Sequence, residues 1–309
     1  MAVTLVVFAG LGFGAATCGG DGSDASSTDQ PESTTTTSAP PSTTLDAEPA
    51  DDAGDGSTSG ADGPTWWPTP LEELDIDAPA TWTVEVLATA PHDPEAFTQG
   101  LERLSDDRFL ESTGLRGQSE IRVVAATTGE VVRAASLDPE QFGEGLTAVD
   151  DTVIQLTWQE EVARRWSLPD LEPLPSFEYR GEGWGLCLLD DRLAMTDGTS
   201  TLQWRDPETF ELIETVEVTR TGEPVPQLNE LECVDGHVVA NIWRSPEIVV
   251  IDPAGSVVAT IDAGNLVATI DSDDPLREVL NGIAAHPDGT FSLTGKLWPT
   301  RFVVDVIER

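Results

Sequence analysis

Basic side chains are scarce in this chain. Against 56 Asp and Glu, its 309 residues include only 16 Lys and Arg, for a net charge of −40. Such a field repels phosphate, which argues against nucleic acid or an anionic lipid surface as a partner. It suits solubility in salty surroundings, and it would attract cationic peptides. Histidine is rarer still. Among His92, His237 and His286 no two stand at a zinc-ligand spacing, so neither a metal nor a cofactor is expected. His92, in Pro91-His92-Asp93-Pro94, reads as a loop hydrogen-bonder rather than a proton carrier. There are three cysteines, and no long amphipathic helical pattern. Lys296 is the sole lysine; Arg serves every other basic position.

The two ends differ in composition. Residues 1–17 are small and apolar and run into Cys18, a length that suits the core of a signal peptide better than a membrane span. Ala15-Ala16-Thr17-Cys18 resembles a bacterial lipobox, which makes Cys18 a candidate for lipidation. An exported protein is expected, extracellular or anchored to the cell envelope as a lipoprotein, with any membrane contact made through that anchor. Residues 19–80 carry 14 acids and no Lys or Arg and are rich in Ser, Thr, Gly and Pro. They cannot bury enough apolar surface to offset their ordering entropy, so a disordered linker is expected. Within it, Trp66-Trp67-Pro68 and Leu71-Glu72-Glu73-Leu74 interrupt the polarity and could dock on the folded part.

Residues 81–309 hold 42 acids and all 16 bases, and they repeat. Five segments stack: from Gln99, Glu144, Trp184, Asn229 and Asn281, at spacings of 45, 40, 45 and 52. Each has an apolar residue (Leu101, Leu146, Leu186, Leu231, Ile283), then a turn-forming acidic cluster, then a second apolar run. That is a β-hairpin, and the rest of each repeat supplies two further short strands. Four strands in 40–50 residues is one propeller blade, so the predicted class is all-β, a five-bladed β-propeller preceded by the signal segment and linker. Cys187 follows its repeat's apolar Leu186 by one residue, and Cys233 follows Leu231 by two. Alternation along a strand then points them to opposite faces of their blades, which argues against a disulfide.

Two columns of the alignment meet at the hairpin end opposite the acidic turns. One holds Gln99, Glu144, Trp184, Asn229 and Asn281; the other holds Gly114, Trp158, Gly198, Trp243 and Lys296. Together they would line a pocket with a carboxylate, an ammonium, carboxamides and three indoles. Each has a plainer reading: tryptophan is a common core residue, and Asn or Gln at a strand start often caps loop backbone. Lys296 resists that, because a lysine, unlike an arginine, has a pKa that responds to burial.

The strings PHDPEAFTQGLE (91–102), FGEGL (142–146), QLTW (155–158), GEGWGL (181–186), LNELE (228–232), ANIW (240–243), LNGIA (280–284) and TGKLW (294–298) resemble the glutamine cyclotransferase family of plants and bacteria. The resemblance runs from about Trp82 to the C-terminus. It implies a metal-independent glutaminyl-peptide cyclotransferase, an aminoacyltransferase that turns N-terminal glutaminyl residues of peptides or proteins into pyroglutamate and releases ammonia. It also implies a pocket of Phe97, Gln99, Glu144, Trp158, Trp184, Asn229, Trp243 and Lys296. Glu144 is the candidate general base and then acid. Lys296 and Asn229 would act on the reacting carboxamide, while Phe97, Gln99, Trp158, Trp184 and Trp243 would bind the substrate. A monomer is expected. The competing readings are a non-catalytic propeller that captures a peptide or sugar, and a lactonase-like hydrolase, which would need a metal cluster.

Overall fold

The structure is a computed structural model and describes residues 64–309. The signal segment, Cys18 and the linker as far as residue 63 lie outside the described residues. Every predicted hairpin is present. The five inner hairpins pair Thr98–Ser105 with Arg108–Thr113, Gly143–Val149 with Thr152–Thr157, Leu186–Leu189 with Arg192–Thr196, Leu228–Val234 with His237–Ile242, and Leu280–Ala285 with Phe291–Gly295. Asp150, Asp190 and Asp235 take the left-handed φ that a two-residue hairpin turn demands, which Asp tolerates better than most residues.

The all-β class holds, but the five-bladed propeller expected from the repeats is corrected by the strand pairing. The first three repeats each form a four-stranded sheet of consecutive strands, and the last two are fused into one eight-stranded sheet. The joint is the strand Ala80–Pro91. Its start pairs in parallel with Val257–Asp262 of the fourth repeat (Ala80 with Ala259, Thr83 with Asp262). From Trp82 onward it pairs antiparallel with Thr300–Glu308 of the fifth. At twelve residues it is long enough to serve both neighbours. Counting repeats could not reveal this, because the bridging strand precedes the first copy.

The inner strands of successive repeats pack on one another in order, and Leu280–Ala285 returns to Thr98–Ser105. Apolar clusters fill the spaces between neighbouring sheets: Leu110, Leu146 and Val153 between the first and second, Ile154, Leu186 and Leu193 between the second and third. The largest cluster lies on the eight-stranded sheet and includes Trp67 and Leu71, both buried, with Trp67 stacked on Trp82. At Gly185 the strands approach too closely for a side chain. A Cβ on Gly185 would lie 2.0 Å from the Asn229 carbonyl oxygen.

The cysteine expectation also fails: Cys187 and Cys233 form a disulfide, with Cα atoms 5.5 Å apart. The two belong to neighbouring sheets packed face to face. One sheet offers its upper face and the other its lower, so opposite parity is what brings the side chains into the same interface.

Candidate functional site

Four inner hairpins share an irregularity at their first-column residue. The strand register shifts between Thr98 and Gly100, Gly143 and Leu146, Leu228 and Leu231, and Leu280 and Ile283. These bulges hold Gln99, Glu144, Asn229 and Asn281, and a bulge re-aims the side chain it carries. The second column is pinned to the same end by a repeated bond. The backbone N–H of Gly114, Trp158, Trp243 and Lys296 donates to the carbonyl two residues before the first column, at Phe97, Phe142, Gln227 and Val279 (2.8–2.9 Å). Gly198 is the exception, and its role is steric: a Cβ there would lie 2.5 Å from the Trp184 ring.

The columns meet around a cavity of about 280 Å³ lined by Phe97, Gln99, Phe142, Glu144, Trp158, Trp184, Asn229, Trp243 and Lys296. All eight sequence-assigned pocket residues are therefore brought together; the roles given to them are a separate matter. Phe142 is the one lining residue that sequence reasoning missed. It stands two positions before Glu144, as Phe97 stands two before Gln99, and that parallel was the available signal. Edge-to-face pairs knit the aromatic wall: Phe97 with Phe142, Phe142 with Trp158, and Trp184 with Trp243. Glu182 accepts hydrogen bonds from both Trp158 Nε1 (2.8 Å) and Trp184 Nε1 (3.1 Å), fixing two indoles with one carboxylate.

On the polar side, Gln99 Nε2 donates to Glu144 Oε1 at 3.1 Å. Glu144 and Lys296 are each only 5 % exposed. Burial raises the Glu144 carboxyl well above its ordinary range; Lys296 opposes this, and Glu182 and Glu160 add to it. Burial likewise lowers the Lys296 ammonium to about 8, against the pull of Glu144. The Lys296 ammonium lies over the Phe97 ring, 5.1 Å from its centroid. Asn281, fully buried, stands behind Gln99 and Asn229 and bonds to both.

His92 lies beneath this layer. One ring nitrogen meets the Trp298 carbonyl (2.6 Å) and the other Glu111 Oε1 (2.9 Å), while Glu111 Oε2 accepts from Arg122 (2.6 Å). Both histidine partners are acceptors, which favours the protonated ring. Burial alone would lower its pKa, and Glu111 together with the Trp298 carbonyl raises it. His92 thus ties the turn after Lys296 to the first sheet. Among the described residues no cluster of His, Cys, Asp and Glu is arranged to hold a metal ion.

Residues 66–306 match the sequence family described as glutamine cyclotransferase. A glutaminyl-peptide cyclotransferase of Arabidopsis thaliana is 38 % identical over 225 residues, which span 72 % of this chain and 70 % of the plant protein. The crystal structure of Myxococcus xanthus glutaminyl cyclase superposes with a TM-score of 0.70 at 37 % identity, covering 74 % of this chain and 99 % of the other.

Proposed function

The chain belongs to the glutamine cyclotransferase family, and from that premise we propose that it is a glutaminyl-peptide cyclotransferase, with the pocket around Glu144 and Lys296 as its reaction site. The observation that carries the reading is the pairing, in one small aromatic cavity, of a buried carboxyl raised well above its ordinary range with a buried lysine lowered to about 8. The reaction is an intramolecular acyl transfer. The α-amine of an N-terminal glutamine attacks its own Cδ, an N–Cδ bond forms, the bond from Cδ to the carboxamide nitrogen breaks, and ammonia leaves. The nucleophile is already tethered, so the aromatic walls have to fold the side chain over the amine.

Glu144 takes the proton that the attacking amine sheds and passes it to the departing nitrogen. Burial raises this carboxyl well above its ordinary range, which makes its ionised form a stronger base toward the amine than an exposed carboxylate would be. Lys296 donates to the carboxamide oxygen as it gains negative charge. With a pKa of about 8 it is still mostly protonated at neutral pH. Gln99 and Asn229 complete the polar lining. A non-catalytic binding site would need the indoles but would gain nothing from a desolvated carboxyl beside a desolvated lysine. The test is ammonia release from a short Gln-initiated peptide, with pyroglutamyl product identified by mass. A peptide recovered unchanged would overturn the reading.

Export is part of the proposal. The apolar segment before Cys18 supports it, and so does the Cys187–Cys233 disulfide, which belongs to an oxidising compartment. We place the catalytic unit in the repeat-bearing part, 81–309, with Trp67 and Leu71 of the preceding segment packed against it, and the attachment to the envelope at a lipid on Cys18. Labelled fatty acid should enter the wild type and not Cys18→Ser; equal labelling of both would remove the anchor.

A further inference from the structure

Asn281 has no wall of the cavity to itself, yet its hydrogen bonds decide what two of the walls present. Its Nδ2 donates to the backbone carbonyl of Thr98 at 2.9 Å. Exchanging its oxygen and nitrogen would set Oδ1 against that carbonyl, acceptor against acceptor, so the orientation is fixed by the main chain. The rest follows by elimination. Oδ1 needs a donor, and Asn229 supplies Nδ2 at 2.7 Å. The second Nδ2 hydrogen points toward Gln99 Oε1 at 3.4 Å, which leaves Gln99 Nε2 to face Glu144.

We propose that Asn281 is a positioning residue for the cyclisation: anchored on the Thr98 carbonyl, it sets the polarity of both carboxamides, so that Gln99 shows the substrate an N–H and Asn229 shows it an oxygen. Two donors, the Gln99 N–H and the Lys296 ammonium, then serve the carboxamide oxygen of the substrate. Asn229 Oδ1 is an acceptor for the N–H of the attacking amine, which it holds in line with Cδ. The assignment rests on the cyclotransferase reading and divides the labour within that site.

The chain of bonds ends on Glu144, which gives the proposal a signature that a purely structural residue would lack. Gln99 donates to the ionised form of Glu144 and so lowers its pKa; freeing Gln99 moves the acid limb of the kcat/KM profile to higher pH. The other groups acting on Glu144 are Lys296, Glu182, Glu160 and Tyr179, and none of them bonds to Asn281. Asn281→Ala and the milder Asn281→Ser should lose about 10–100-fold in kcat with KM little changed, because the reacting groups are misaligned rather than unbound. In a Gln99→Ala background the Asn281 substitution should leave the acid limb where Gln99→Ala alone puts it.

The experiment is that cycle of variants, assayed for ammonia release across pH, with a thermal melt of each. Unchanged kcat in Asn281→Ala would overturn the proposal. So would an acid limb that moves as far in the Gln99→Ala background as in the wild type, or loss of cooperative melting in both Asn281 variants. A wild type that releases no ammonia would instead sink the cyclotransferase reading and this assignment with it.

Discussion

Glu144 and Glu230 are both buried carboxyls on the inner strands, one position apart in the repeat alignment and two repeats apart in the chain. Burial raises both well above the ordinary range, yet their surroundings give them opposite tasks. Glu230 stands where the other four repeats carry Gly100, Gly145, Gly185 and Gly282. It fills the centre and spends its oxygens on two backbone donors from different sheets, Leu101 N–H at 3.2 Å and Ile283 N–H at 2.9 Å. Glu144 accepts one side-chain bond, from Gln99, and faces a cavity. A raised pKa is therefore not what distinguishes a proton carrier from a staple. The distinction lies in which lone pairs remain free and whether a substrate can reach them.

The sharpest way to break that comparison is to remove one charge at a time. Glu144→Gln should lower turnover by about 10²–10⁴, the usual range for a general acid–base, with its melting midpoint kept. Near-normal turnover would move Glu144 into the same class as Glu230. Next in size comes the disulfide, which joins the inner strands Leu186–Leu189 and Leu228–Val234 across a sheet interface. Closing a separation of 46 residues, it should contribute about 2–4 kcal/mol. The double Cys187→Ala/Cys233→Ala variant should lose that much in chemical denaturation while the folded enzyme keeps its turnover. A large kcat defect would show that the bridge shapes the site as well.

Glu230→Gln inverts the first prediction. Its carboxamide can accept from one backbone N–H but sets an N–H against the other, a cost of about 1–3 kcal/mol. Turnover should stay within a few-fold of wild type. The smallest effect is in the pH dependence of stability. Glu102 and Glu232, whose carboxylates accept from Ala148 N–H and Ala285 N–H, are held by burial at about 7 and about 8. The folded state then binds their protons more tightly than the unfolded state does. This stability is complete below the ordinary glutamate value and is lost as pH rises through 7 and 8. His92, raised through Glu111, adds the same sign. The melting midpoint should fall between pH 5 and 8, and Glu232→Gln should flatten the slope; a midpoint that rises over this range would contradict the burial argument.

Much of the site was legible because its residues repeat. Gln99, Glu144, Trp184, Asn229 and Asn281 stand at one place in five similar hairpins, and Asp turn residues mark the opposite end, so convergence of the two columns could be read from spacing alone. Phe142 escaped because it stands outside both columns, two residues before Glu144 and beside the register shift that begins at Gly143. The rest of what escaped depends on relations between sheets. Parity within a strand was read correctly for Cys187 and Cys233, but it predicts pairing only once the facing sheet is known. The fusion of the last two repeats depends on Ala80–Pro91, which carries no copy of the motif. Periodicity records what each segment is, and the contacts between segments are written in complementary shapes that no single segment contains.

The most direct test of the central claim is to titrate Glu144 itself, by carboxyl carbon NMR of protein labelled at glutamate, with the signal assigned through Glu144→Gln. The expected result is a Glu144 that stays protonated well above the ordinary glutamate range in the substrate-free pocket. A Glu144 signal already fully ionised by pH 5 would contradict it, because a carboxylate of ordinary acidity is a weak base for taking the proton from the attacking amine.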